Sequence, residues 1–220
     1  MKTQTKLAIG VAVLLAVVLG VMLMLNPDGG GDGPAAATTP EKESVLLRED
    51  SHVLGDEATE GDVTFVEFLD FECEACGAAY PFVEQLREEY AGRVTFVARY
   101  FPLPGHFNAE RAARSVESAA RQGKFEEMYQ KMYETQESWG EGSEPLDDLF
   151  RSYAEELGLD MEQYDADYDS PEVAARVQKD VDDGLELGVQ STPTFYVDGE
   201  PVQAGSGEDL IAALEAALGE

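Results

Sequence analysis

Basic residues are scarce in this chain. Its 220 residues carry 15 Lys and Arg against 45 Asp and Glu, a formal net charge of −30. That balance argues against nucleic acid or an anionic membrane surface as a partner. Cysteine is scarcer still, with only Cys73 and Cys76. A scaffold stapled by several disulfides is therefore excluded. A zinc site is disfavoured, because zinc normally takes four ligands and the only histidines, His52 and His106, lie far apart in sequence. There is no internal repeat and no phosphate-binding glycine motif. Long apolar runs are absent but for one, Leu7 to Leu25, nineteen residues without a charge.

What is present suffices for a folded protein. A hydrophobic share of 44% can fill a core, and the length suits one globular domain with additions. The apolar run can just cross a hydrocarbon layer of about 30 Å as a helix. Lys2 and Lys6 precede it and acidic residues follow, so the positive-inside rule puts residues 1–6 in the cytoplasm and the remainder outside. The rival is a cleaved signal peptide. Ala35-Ala36-Ala37 lies well past the run, however, and the run exceeds the usual length of a signal core. We expect an uncleaved single-pass anchor at 7–25 and a Gly- and Pro-rich linker at 26–43. Both readings export the domain at 44–220, where disulfide chemistry is favoured.

That domain is organised around Val63 to Leu86. Val63 to Leu69 is rich in β-branched and aromatic residues and reads as a buried strand. Beyond the cysteines, Tyr80, Val83, Leu86 and Tyr90 recur at helical spacing. Cys73 thus falls where a helix begins, and free N–H groups with the positive end of the helix dipole favour a thiolate there. The two-residue spacing lets Cys76 close a disulfide with it. The competing readings are a purely structural disulfide, a metal site and two inert buried thiols. Glu67 sits inside the apolar strand, where a charged carboxylate is costly, unless it lies exposed at a strand edge.

The order strand, C-x-x-C, helix, and a late Thr192-Pro193-Thr194-Phe195 before another strand resembles the thioredoxin superfamily. The run Val66 to Cys73 and the phrase Phe101-Pro102-Leu103-Pro104-Gly105-His106 resemble its DsbA-like branch, and the likeness spans about residues 51–218. It implies an α/β thioredoxin fold with an inserted helical subdomain at about 105–186, preceded here by the transmembrane helix. It implies Cys73 as the nucleophile, Cys76 as the resolving thiol and Glu67 as a buried acid that exchanges a proton with Cys76. It also implies a cis Thr192–Pro193 bond facing the cysteines, where an extended substrate pairs, although an ordinary trans proline fits the residues too. No cofactor beyond the redox-active disulfide is implied. The implied partners are reduced or unfolded exported proteins and a membrane redox protein that recycles the disulfide.

One departure bears on the chemistry. DsbA-like sites often hold a proline or histidine between the cysteines, where this chain has Glu74-Ala75, with Glu72 just before. Added negative charge should oppose the Cys73 thiolate and give a weaker oxidant. A reductase or isomerase fed by a membrane donor is the alternative direction. A non-redox peptide-binding or chaperone module is the alternative class.

Between the two motifs, three apolar stripes predict helices, on Ala112 to Ala120, Phe125 to Tyr133 and Leu146 to Leu157. Ser170-Pro171 predicts the start of a fourth. His106 reads as a polar loop residue without a catalytic role. Trp139, in a glycine-rich loop, reads as an exposed contact.

Overall fold

The computed structural model describes residues 45–59 and 63–220. The expected anchor and linker lie outside the described residues. Among those described, no helix is long and apolar enough to cross a membrane.

The β-branched and aromatic runs pair as neighbouring strands. β1 (His52–Leu54), β2 (Val63–Leu69), β3 (Val94–Tyr100), β4 (Thr194–Val197) and β5 (Glu200–Val202) form one sheet in the order β1-β3-β2-β4-β5. β2 and β3 run parallel, joined across helix α1 (Glu74–Glu89), and the remaining pairings are antiparallel. Central β2 is buried on both faces, which its near-continuous apolar sequence requires. Asp198, with φ 48°, and Gly199, with φ 82°, make the left-handed turn between β4 and β5.

Five helices separate β3 from β4: α2 (Ala109–Ala120), α3 (Phe125–Thr135), α4 (Asp147–Glu156), α5 (Met161–Tyr168) and α6 (Pro171–Glu186). The final helix, α7 (Gly207–Leu218), follows β5. The three apolar stripes fall on α2, α3 and α4. Ser170 caps α6 with its hydroxyl, which accepts from the Val173 N–H, and Pro171 opens the helix. α5 was not visible as a stripe, since Tyr164 is its one buried side chain. Its start is set by Asp160, whose carboxylate accepts from the N–H groups of Glu162 and Gln163. Trp139 corrects the sequence reading. It is buried, its ring meets Phe150 edge-on at 5.0 Å and its indole N–H donates to Thr135 Oγ1 at 3.2 Å. A short 3₁₀ turn, Gln136–Ser138, swings it inward.

A buried ionic knot ties the first described segment to the sheet. Arg99 of β3 is 0% exposed. It donates to Asp180 Oδ1 at 2.8 Å and to the carbonyls of Val45 and Leu46 at 2.7 and 2.6 Å. Arg48 and Arg176 also pair with Asp180, at 2.6 and 2.7 Å, and Arg48 pairs with Asp183. Buried charges persist only when paired and hydrogen-bonded in this way.

Candidate active site

Cys73 is the N-cap residue of α1, with extended backbone (φ −68°, ψ 118°), and its carbonyl accepts the Gly77 N–H at 3.1 Å. It sits just beyond the end of β2 because the turn between them is fixed by Asp70. The Asp70 carbonyl accepts the Cys73 N–H at 3.1 Å, and its Oδ1 accepts the Glu72 N–H at 2.8 Å. The antiparallel register of β4 on β2, with Thr194 opposite Phe68, brings the loop before β4 to the same end of the sheet. The Thr192–Pro193 bond in that loop is cis, as the resemblance implied. The Cys73 thiol donates to the Thr192 carbonyl at 3.4 Å. The Thr192 hydroxyl is buried without a hydrogen-bond partner, and it can donate once the thiol ionises.

Both cysteines are free and buried, yet their environments differ. The Cys73 thiol is lowered to about 5. The leading cause is the hydrogen bond from the Cys76 thiol, and Thr192 and the backbone N–H groups of Cys76 and Ala75 add to it against the cost of burial. The Cys76 thiol is pushed well up, first by burial, then by its bond to Cys73 and by the charge of Glu67. One thiolate is favoured at the helix start, and the partner behind it holds its proton.

Glu67 is 3% exposed, in the centre of β2 and opposite Phe195, so the edge-strand reading does not apply. Burial raises its carboxyl to about 8, with Glu84 and Cys73 adding to the effect. It therefore holds a proton near neutral pH, and only once ionised does its charge push Cys76 further up.

Neither flanking glutamate is among the leading influences on the Cys73 thiol. Glu74 is exposed. Glu72 is buried, its Oε2 accepting the Asn108 N–H at 2.5 Å. Its carboxyl is raised, mainly by burial, against the hydrogen bonds from the Asn108 and Ala109 backbone. The Cys73 thiol is lowered despite them. Ala75 contributes its backbone N–H.

Sequence reasoning missed four residues. Asp70 is fully buried, and its Oδ2 accepts the Leu103 N–H at 2.9 Å and meets His106 Nδ1 at 2.6 Å. His106 therefore belongs to the wall of the site. Its imidazole is raised because the hydrogen bond and charge of Asp70, with Cys73 and Glu72, outweigh burial. Asn108 accepts the Leu146 N–H and donates to the Glu144 carbonyl, each at 3.1 Å. Gln136 reaches the backbone of the cysteine turn. The signal for Asp70 was its place between apolar Leu69 and Phe71; Asn108 and Gln136 gave none. Among the described residues there is no group of three or more His, Cys, Asp or Glu arranged to hold a metal ion.

A mixed sheet, a C-x-x-C pair at the start of the helix after its central strand, and a cis-proline loop against the first thiol define a thioredoxin-like protein. The sequence model described as thioredoxin matches residues 48–216, and the chain belongs to that family. A thioredoxin-like oxidoreductase from Silicibacter pomeroyi is 30% identical, with a TM-score of 0.67 over 81% of this chain and 98% of that one. The thiol-disulfide exchange protein α-DsbA2 of Wolbachia pipientis is 18% identical and shares the fold, with a TM-score of 0.67 over 80% of this chain and 91% of that one. Among curated proteins, Na(+)/H(+) antiporter NhaA 1 of Mycobacterium sp. (strain KMS) is 37% identical over 177 residues, 76% of this chain and 27% of that protein. The chain thus spans about a quarter of the length of the curated relatives it matches. Fold, family and paired thiols make it a thioredoxin-superfamily oxidoreductase in general terms.

Proposed function

We propose that this chain is an exported, membrane-tethered thiol:disulfide oxidoreductase that forms disulfides in extracytoplasmic proteins. The observation that carries the direction is the Cys73 thiol, brought to about 5 at the helix start while Cys76 is pushed up. A stabilised thiolate stabilises the dithiol form, and that makes the disulfide an oxidant.

The reaction balances as follows. A substrate thiolate attacks Sγ of Cys73, the Cys73–Cys76 bond breaks, and Cys76 leaves with the electron pair. Cys76 then takes a proton, for which the Glu67 carboxyl is the nearby source. A second substrate thiolate attacks the substrate sulfur of the mixed disulfide, and Cys73 leaves as a thiolate. The substrate has lost two electrons and the protein has gained them. The Thr192–Pro193 loop lines the approach to Cys73, and an extended substrate would lie along it. Reduced exported proteins are the substrates in this reading, and a membrane oxidase restores the disulfide.

Equilibration with glutathione tests the direction. We expect a reduction potential on the oxidising side of about −200 mV. A value near the thioredoxin level of about −270 mV would make the protein a reductase or isomerase instead. The tether rests on the uncharged run 7–25 behind Lys2 and Lys6. Membranes washed with alkaline carbonate should retain the full chain and release one that begins at residue 44. Release of both would remove the anchor from the proposal.

A further inference from the structure

The backbone that presents Cys73 is held from outside the thioredoxin core. Gln136 follows α3 in the helical insertion and is 7% exposed. Its Nε2 donates to two carbonyls of the cysteine turn, Phe71 at 2.7 Å and Cys73 at 2.9 Å. Its own carbonyl accepts the N–H groups of Trp139 and Gly140, at 3.0 and 2.7 Å, so the 3₁₀ turn fixes where the amide points. The fit is tight on the far side as well. A Cβ added at Gly77, in the first turn of α1, would lie 1.8 Å from Gln136 Oε1 and 2.7 Å from its Cδ. Glycine at 77 is therefore what admits the amide.

We propose that Gln136 is a positioning residue for the redox centre: its amide locks the Phe71–Cys73 turn to the helical insertion and thereby sets the helix start on which Cys73 reactivity depends. The proposal rests on the thiol–disulfide reading above. The physical route is short. The Cys73 carbonyl is shared between the Gly77 N–H and the Gln136 amide. With the amide gone, two buried carbonyls lose a donor and the turn relaxes to recover one. The N–H groups of Ala75 and Cys76 then lose their aim at the sulfur.

The test is the pH dependence of Cys73 alkylation by iodoacetamide in the reduced full-length protein, together with its glutathione equilibrium. In Gln136→Met we expect the alkylation midpoint to rise by about one pH unit and the equilibrium to move about tenfold toward the protein disulfide. Gly77→Ala, which removes no polar group, should displace the amide and shift both in the same direction. Gly77→Ala/Gln136→Ser relieves the overlap and should keep the raised midpoint with an intact fold, which preserves the test if either single variant fails to fold. Lower thermal stability with an unchanged midpoint and equilibrium would reduce Gln136 to a packing residue and overturn the proposal. A parent protein with no low midpoint and no glutathione equilibrium would instead overturn the redox reading itself.

Discussion

We expect Cys73→Ser to abolish thiol–disulfide exchange, and Cys76→Ser to join a disulfide-bonded substrate and not let go. The asymmetry follows from the site. Cys73 lies at the helix start against Thr192, with its thiol near 5, which in the proposed reaction makes it both the sulfur attacked in the disulfide and the better leaving group. Cys76 is buried behind it and holds its proton. Without Cys76 no internal thiol can resolve a mixed disulfide. The check is oxidation of a two-cysteine peptide, with non-reducing electrophoresis of the products. Both variants lack the internal disulfide and should fall to the uncatalysed rate. Offered the disulfide-bonded form of the peptide, Cys76→Ser should accumulate a mixed disulfide through Cys73, releasing the peptide's other sulfur as a thiol, while Cys73→Ser should form no adduct. Turnover retained in Cys73→Ser would end the assignment of the nucleophile.

The second large effect is on stability and its pH dependence. The Glu67 carboxyl stands at about 8 in the folded protein against 4.5 for an ordinary glutamate. Between those values the unfolded chain has released this proton and the folded protein still holds it. Folding stability contributed by Glu67 therefore falls as pH rises across that window, by up to roughly 5 kcal/mol, and is level above it. Cys73 runs the other way in the reduced protein. Its folded value, about 5, lies below the ordinary 9.0, so its contribution is lost as pH falls through 5. Comparing the parent with Glu67→Gln cancels the cysteine and isolates the carboxyl. Urea unfolding of the reduced proteins at pH 5 and pH 8 should show Glu67→Gln gaining on the parent by a few kcal/mol at the higher pH. An equal difference at both values would show that Glu67 titrates normally. In turnover, Glu67→Gln should slow release of Cys76, because a neutral amide cannot supply its proton.

The parts of the site that could be read from sequence are those with local signals. Cys73 and Cys76 are two residues apart, at a change of hydrophobic period from strand to helix. Glu67 is a charge inside an apolar run, and Thr192-Pro193 directly precedes β4. The residues that fasten these parts together carry no such mark. Asp70 and His106 meet across 36 positions, and Gln136 reaches Cys73 across 63, so nothing in the neighbourhood of either end announces the contact. The partner of Glu72 was hidden from sequence for the same reason. Sequence placed its charge beside Cys73, but the side chain leaves the turn for the backbone of Asn108. Trp139 was misread because glycine neighbours imply a loop, and a loop with a 3₁₀ turn can still aim one ring into the core.

The ionic knot around Arg99 has a mechanical meaning. A pull applied at the N-terminal end of the domain enters the fold at Val45 and Leu46, whose carbonyls are held by a guanidinium fixed to β3 and braced by Asp180 and Asp183 of α6. The load is thus taken up by β3 and a helix of the insertion before it can reach α1. The fastening point works like the strain relief on a cable: tension on the lead is absorbed at the housing, and the contacts inside are left unstressed.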